Sequence, residues 1–157
     1  IVAYNYGAKK PKRIYQSCRW AMLYSVIFYS IFFLIMEVFP EWVLLLFDAS
    51  PEMLSIGVTA LRILAVSHLL SNVCLIYSAA FQGLGLGVQS MLLTLGRQVV
   101  LPVVFIAALS HFGNLTLIWL AFVLAEAVVI PMGIILWRRE SDKVLKDLKI
   151  CLASAVR

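Results

Sequence analysis

Two ionised side chains stand inside runs that are otherwise apolar. Arg97 lies in "TLGRQVVLPVVF" and Glu126 in "IWLAFVLAEAVVIP". If those runs cross a bilayer, each charge costs from ~2.5 kcal/mol upward at mid-depth, so it needs a partner, a hydrated cavity or a function. Arg97 comes eight residues after Gln89, about 12 Å along a helix at ~1.5 Å per residue. Glu126 comes eleven residues before Trp137, roughly 16 Å from the same side by that rise. With a short connection between antiparallel spans, the two charges reach similar depth. They are expected to face each other or to share one cavity. A static ion pair that locks two helices and a functional pair both fit this spacing. Glu126 is the one acidic residue deep in any apolar run, which makes it the candidate for carrying a proton.

A second constellation precedes it. At 100° per residue, Ser67, Ser71, Ser78 and Gln82 fall within about 60° of one another, with His68 and Asn72 at the margin. A polar stripe on an apolar helix turns toward other helices or water, not lipid. It can serve helix–helix hydrogen bonding or line a path for a solute. Arg62 points nearly the opposite way, and the sequence offers it no partner.

Other chemistries fare worse. Gly83, Gly85 and Gly87 follow an apolar segment in "AAFQGLGLGVQS", without the last glycine of a dinucleotide fingerprint or the lysine of a phosphate loop. They are expected to end one helix and reverse the chain. "NLT" at 114–116 fits a glycosylation sequon but leaves a sugar little room. Cys18, Cys74 and Cys151 lack metal-ligand spacing and read as small hydrophobes, so no metal or cofactor is expected. His68 and His111 are isolated from any nucleophile, so the chain is not expected to be an enzyme.

Composition sets the elements that hold these residues. The 157-residue chain is 63% hydrophobic and 13% charged, against roughly 45–50% and about 25% in soluble domains. So short a chain cannot bury that excess within itself. About 20 helical residues cross a bilayer core, and four runs qualify: Trp20–Phe39, Ile56–Phe81, Gln89–Leu109 and Leu115–Trp137. Pro102 and Pro131 are expected to kink the last two. Trp42–Phe47 is too short to span and is expected at the interface. Lys9, Lys10, Lys12, Arg13 and Arg19 precede the first run, and Arg138, Arg139, Lys143, Lys146, Lys149 and Arg157 follow the fourth. The connections at 40–55 and 110–114 hold no Lys or Arg. The positive-inside rule therefore makes both flanks cytoplasmic. That explains the net charge of +5 without nucleic acid.

The fold expected is an all-α membrane protein with a basic loop and helix start at 1–19 and a four-span bundle at 20–137. A cytoplasmic amphipathic tail at 138–157 completes it, with Val144, Leu148, Cys151, Leu152 and Ala155 on one face and Lys143, Lys146 and Lys149 on another, an interfacial helix held by lipid. The opening at Ile1, without initiator Met or signal peptide, reads as the interior of a longer protein.

In order, "YNYGAKKPKR", "LLLFDASPEM", "ALRIL", "AAFQGLG", "TLGRQVVLPVVF" and "IWLAFVLAEAV" resemble the second half of multidrug and toxic compound extrusion (MATE) transporters, over nearly all of residues 1–140. The resemblance implies a twelve-helix antiporter of two six-helix lobes, of which this chain would hold the last four helices in a bacterial inner membrane. It would export small organic cations in exchange for protons or sodium, with the N-terminal lobe and preceding helices as its missing partners. Arg97 and Gln98 match the family's Arg-Gln at the start of the eleventh helix. Glu126 matches an acidic position in the twelfth. Sodium-coupled members use a carboxylate in the tenth helix, and none stands between Met53 and Gln82, which favours protons. Glu126, Arg97, Gln98, Ser67, His68, Ser71 and Asn72 are the candidates for the substrate or ion pathway. A lipid-linked sugar flippase of the same superfamily, and an anchoring or interaction subunit that moves nothing, are the competing readings.

Overall fold

The computed structural model describes the backbone of residues 1–154 and the side chains of residues 1–144. Its elements are α1 (Val2–Gly7), α2 (Pro11–Val38), α3 (Pro40–Leu45), α4 (Pro51–Gly83), α5 (Gly87–Leu95), a π-helical stretch (Gly96–Val100), α6 (Leu101–Ser110) and α7 (Leu115–Ser154). Four helical segments are long and apolar enough to cross a bilayer: Pro11–Val38, Pro51–Gly83, Gly87–Ser110 and Leu115–Val144. They contain three of the four expected runs whole and the first as far as Val38, and they extend past most of the other ends. This is an all-α membrane protein.

Prolines and caps set the boundaries. Pro11, Pro40 and Pro51 each sit in the first turn of their helix, where a missing N–H costs nothing and a fixed φ helps. Ser50 caps α4 by accepting from the Met53 N–H at 3.3 Å. Asn114 does the same for α7, its Oδ1 accepting from the Thr116 N–H at 2.9 Å. The sequon asparagine is thus engaged at a helix start.

The glycine stretch is a chain reversal, as expected. Leu86 N–H donates to the Phe81 carbonyl at 2.8 Å and Gly85 N–H to that of Gln82 at 3.1 Å. Gly85 has φ +77. This is the Schellman pattern, which satisfies the last carbonyls of α4 and needs a left-handed residue. Leu86 packs against the cluster that contains Phe81, the apolar contact that accompanies the motif. Gly83 has a different reason: a Cβ there would come within 2.9 Å of Val2. The first residues therefore fold back onto the end of α4.

The core is narrow. Helix α4 packs most extensively against α7 and then α2. On α7, Ala121, Ala125, Val129, Gly133 and Trp137 recur every four residues and are all buried. Small side chains along one ridge let helices approach closely where no hydrophobic effect drives them together. Gly133 fits this role, lying 3.4 Å (from an ideal Cβ) from Cys74 Sγ and Leu93 Cδ1. At the end flanked by basic residues, Trp137 stacks on Tyr77 with centroids 5.2 Å apart. It also meets Phe81 and, edge-on, Tyr15, tying α2, α4 and α7 together.

Most other apolar residues face outward, notably along α2, whose most apolar window has no buried residue. Such a surface fits lipid or further helices, not water. Trp42, Leu46 and Phe47 are exposed in and after α3, consistent with an interfacial position.

The fourth run continues without a helical break through Arg138 and Arg139 to Ser154. Pro131 sits inside this helix, which stays helical on both sides of it. Of the expected tail faces, Val144 packs against the buried cluster and Lys143 pairs with Glu140 at 2.9 Å, while the side chains of Leu148, Cys151, Leu152, Ala155, Lys146 and Lys149 lie outside the described residues.

Candidate functional site

The third membrane segment departs from α-helical geometry where its charge sits. Pro102, the second residue of α6, has no N–H to offer and its ring crowds the carbonyl four residues back. Just upstream, Gly96–Val100 widens into a π-helical turn, closed by a bond from Leu101 N–H to the Gly96 carbonyl. The expected disturbance at Pro102 thus takes the form of a π turn. Such insertions rotate the side chains on either side relative to each other and occur often at functional sites. Arg97 lies within it.

From there Arg97 reaches α7. Its Nη1 donates to Glu126 Oε1 at 3.1 Å, with the two side chains only 14% and 6% exposed. The ion pair expected from depth is formed. Neither charge could remain alone here, because removing one partner strands the other in low dielectric. Glu126 Oε2 is buried and has no partner.

The polar stripe of α4 divides into three parts. Ser67, Ser71 and Asn72 are buried toward the bundle. Ser71 Oγ donates to its own helix at the His68 carbonyl, 2.7 Å away. Asn72 is almost wholly enclosed, yet neither Oδ1 nor Nδ2 has a partner. His68 turns out of the interior. Its Nδ1 contacts the Leu64 carbonyl at 2.8 Å, and it borders an apolar cleft of about 440 Å³ with Phe28, Tyr29, Phe32 and Met36 of α2.

Toward the glycine turn, the stripe forms a hydroxyl network. Ser78 Oγ shares hydrogen bonds with Ser90 Oγ at 2.7 Å and Thr94 Oγ1 at 3.0 Å. Gln82 Nε2 donates to Ser90 Oγ at 3.0 Å. The Ser90 and Thr94 contributions were not anticipated, although a signal existed. Ser90, Thr94 and Arg97 follow i, i+4, i+7 spacing, one face of an otherwise apolar helix. Beside this network a cleft of about 250 Å³ opens between α4 and α5, lined by Cys74, Ser78, Gln82, Thr94, Arg97 and Gln98. Gln98 is exposed there.

Arg62, left unpartnered by the sequence, approaches Glu37 of α2, Nε to Oε1 at 3.8 Å. Both side chains are nearly half exposed, so the pair sits apart from the enclosed site.

The arrangement therefore pairs Arg97 with Glu126, sets Arg97 beside Ser78, Gln82 and Gln98 at one cleft, buries Ser67, Ser71 and Asn72 on α4, and places His68 at the separate cleft against α2. It can hold a carboxylate in an enclosed, mostly apolar setting, with a single cation as counter-charge and a hydroxyl-lined opening beside it.

Known proteins match the same architecture. The MatE family model matches residues 1–108. A similar solved structure, protein A, aligns over 90% of this chain with TM-score 0.78 and 29% identity. The chain spans only 32% of that protein's length. No curated protein matches it. Helices α1 to α5 and most of α6 lie inside the family match, and they carry the reversal, the π turn and Arg97. On these grounds the chain belongs to the MatE family of membrane transporters.

Proposed function

We propose that the chain works as the last four membrane helices of a multidrug antiporter that exports small organic cations in exchange for protons. Family membership supports the transporter reading, and the enclosed Arg97–Glu126 pair with its free Oε2 carries the coupling. A carboxylate that is ionised beside one arginine, and can be neutralised by one proton, has two charge states at one place. A proton can shift a conformational equilibrium only by binding the two states differently. Glu126 meets that condition if one state keeps Arg97 against it and the other does not.

In this reading the walls follow from the geometry. The cleft lined by Ser78, Thr94, Arg97 and Gln98 reaches Arg97, the partner of Glu126, and in this reading a proton would arrive from that side. Ser67, Ser71 and Asn72 brace the α4–α7 seam along which the bundle moves. Protons are favoured over sodium because, among the described residues, no second carboxylate joins Glu126. The site's one fixed cation would also repel a metal ion that cannot be neutralised by losing a proton. The other lobe and preceding helices would complete the pathway, in a bacterial inner membrane with both basic flanks cytoplasmic.

The deciding experiment is drug efflux by the complete transporter carrying Glu126→Gln. Efflux should fall at least tenfold and lose its dependence on the proton gradient. Undiminished efflux with normal pH dependence would remove the coupling role.

A further inference from the structure

Protonating Glu126 takes away the charge opposite Arg97. Both side chains are largely enclosed, and a guanidinium does not give up its proton in a protein. A neutral Glu126 therefore strands a cation in low dielectric. Among the described residues no other carboxylate is placed to replace it. Glu140 and Asp142 lie at least fourteen residues further along α7, ~21 Å at the usual rise. Glu37, Glu41, Asp48 and Glu52 belong to the end of α2, to α3 and to the start of α4. The guanidinium itself has capacity to spare. It spends one N–H on Glu126, and it lines the cleft of about 250 Å³ with Ser78, Gln82, Thr94 and Gln98. A water takes about 30 Å³ of liquid, so this cleft has room for a small ion with part of its hydration.

We propose that this cleft is a binding site for a small monovalent anion such as chloride, which sits on Arg97 when Glu126 is protonated. The polar lining supplies donors: the unused N–H groups of Arg97, the Gln98 amide and the Thr94 hydroxyl. Thr94 is held by the network behind it, 3.0 Å from Ser78 Oγ, which in turn lies 2.7 Å from Ser90 Oγ. When Ser78 donates to Thr94 Oγ1, the Thr94 O–H is released toward the cleft. No carboxylate lines it. One fixed positive charge calls for one negative charge, which selects a monovalent ion over a dianion. While Glu126 is ionised it already neutralises Arg97, and an anion finds no net charge to bind. Glu126 Oε2, buried without a partner, takes one proton and the side chain becomes a neutral acid. The anion then takes over as counter-charge on the guanidinium. One positive and one negative charge enter together, so the net charge of the bundle is the same in both states.

Few other groups near the pair titrate. Helix α4 presents His68 and Cys74. His68 borders the separate cleft against α2, and a thiol stays neutral in acid. The π stretch presents only Arg97, α5 and α6 contain no titratable residue, and α7 carries none besides Glu126 before Arg138. The proposal deepens the coupling role of Glu126 and rests on it for its meaning in transport.

The test is chloride binding to the complete transporter in lipid nanodiscs. It is read as the rise in unfolding temperature when chloride replaces gluconate at fixed sodium and ionic strength. Chloride affinity should grow about tenfold or more from neutral to acid pH, and by linkage chloride added to a weakly buffered sample should draw protons onto the protein. Glu126→Gln should bind chloride at neutral pH as tightly as the unmodified protein does in acid, with no pH dependence left. Adding Arg97→Gln to it should abolish the response, and Thr94→Val should weaken chloride binding several-fold in acid. His68→Gln should leave the pH dependence in place. A response that is the same in the unmodified protein, Glu126→Gln and the double variant puts the anion elsewhere and overturns the proposal. So does a folded Glu126→Gln with no response, or a pH dependence that disappears with His68. If Glu126→Gln does not fold, chloride-driven proton uptake that is absent, or that Thr94→Val leaves unchanged, overturns it instead. The parent reading can fail separately. If Glu126→Gln leaves efflux intact while chloride binding still follows the Glu126 charge, the coupling role falls and the anion site stands. If Glu126→Gln abolishes efflux and shows no chloride response, the coupling role stands and the anion site is wrong.

Discussion

At the residue scale, the molecule depends on how it settles one enclosed ion pair. Arg97→Leu leaves Glu126 ionised and unpaired, and Glu126→Leu leaves Arg97 so. Either single change is expected to destabilise the bundle by ~3–5 kcal/mol, whereas the double Leu variant should regain most of that. Unfolding in mild detergent followed by circular dichroism measures all three. A double variant no better than the singles would mean that the pair is not a closed unit. Ser78 supports a smaller expectation, since it joins Ser90 and Thr94 at once. Ser78→Ala strands part of that network and should cost about 1–3 kcal/mol in the same assay. The pair was legible in the sequence because depth follows from counting residues along a helix. The orphaned amide of Asn72 was not, because a stripe drawn at 100° per residue shows which way a side chain points but not whether anything meets it. Arg62 shows the same limit, as its contact with Glu37 depends on how α2 crosses α4.

At the scale of elements, the turns were readable, while most helix ends and the π turn were not. Helix α2 starts at Pro11, nine residues before the expected run, and α7 continues to Ser154. Glycines at 83, 85 and 87 announced a reversal, yet the structure gives them different duties. Gly85 supplies a left-handed backbone and Gly83 a close approach to Val2. Gly85→Ala is therefore expected to cost ~1–2 kcal/mol through its backbone alone. Gly87→Ala meets nothing within 4 Å and has no such backbone demand, so it should be close to neutral. Equal losses at both positions would show that the reversal does not rest on the left-handed residue. Pro102 foretold a disturbance in the third segment. Its form depended on where the freed carbonyls could find donors, and that is decided by neighbours distant in sequence.

For the whole molecule, the governing fact is how much apolar surface stays outside. Trp20, Tyr24, Phe28, Ile31 and Val38 are all exposed on α2, and no arrangement of 157 residues at this composition could cover them. The chain should be monodisperse only in detergent or lipid, and gel filtration with and without detergent checks this. Cys18 and Cys74 are buried, so a water-soluble maleimide should label neither until the bundle is unfolded. With Cys18 and Cys74 replaced by Ala and Cys151 by Ser, single cysteines at Asp48 and at Lys143 should react from opposite faces of the membrane. Reaction of both from one face would contradict the four-crossing topology.

Helix α7 spans forty residues, Leu115–Ser154, which is ~60 Å at the usual rise, twice the thickness of a bilayer's oily layer. Twenty-eight of those residues, or ~42 Å, lie beyond Glu126. A rod that long is a lever: a tilt of ~10° about the carboxylate would sweep its far tip by ~7 Å. A proton gained or lost in the greasy interior could in this way be read as displacement out in the aqueous phase.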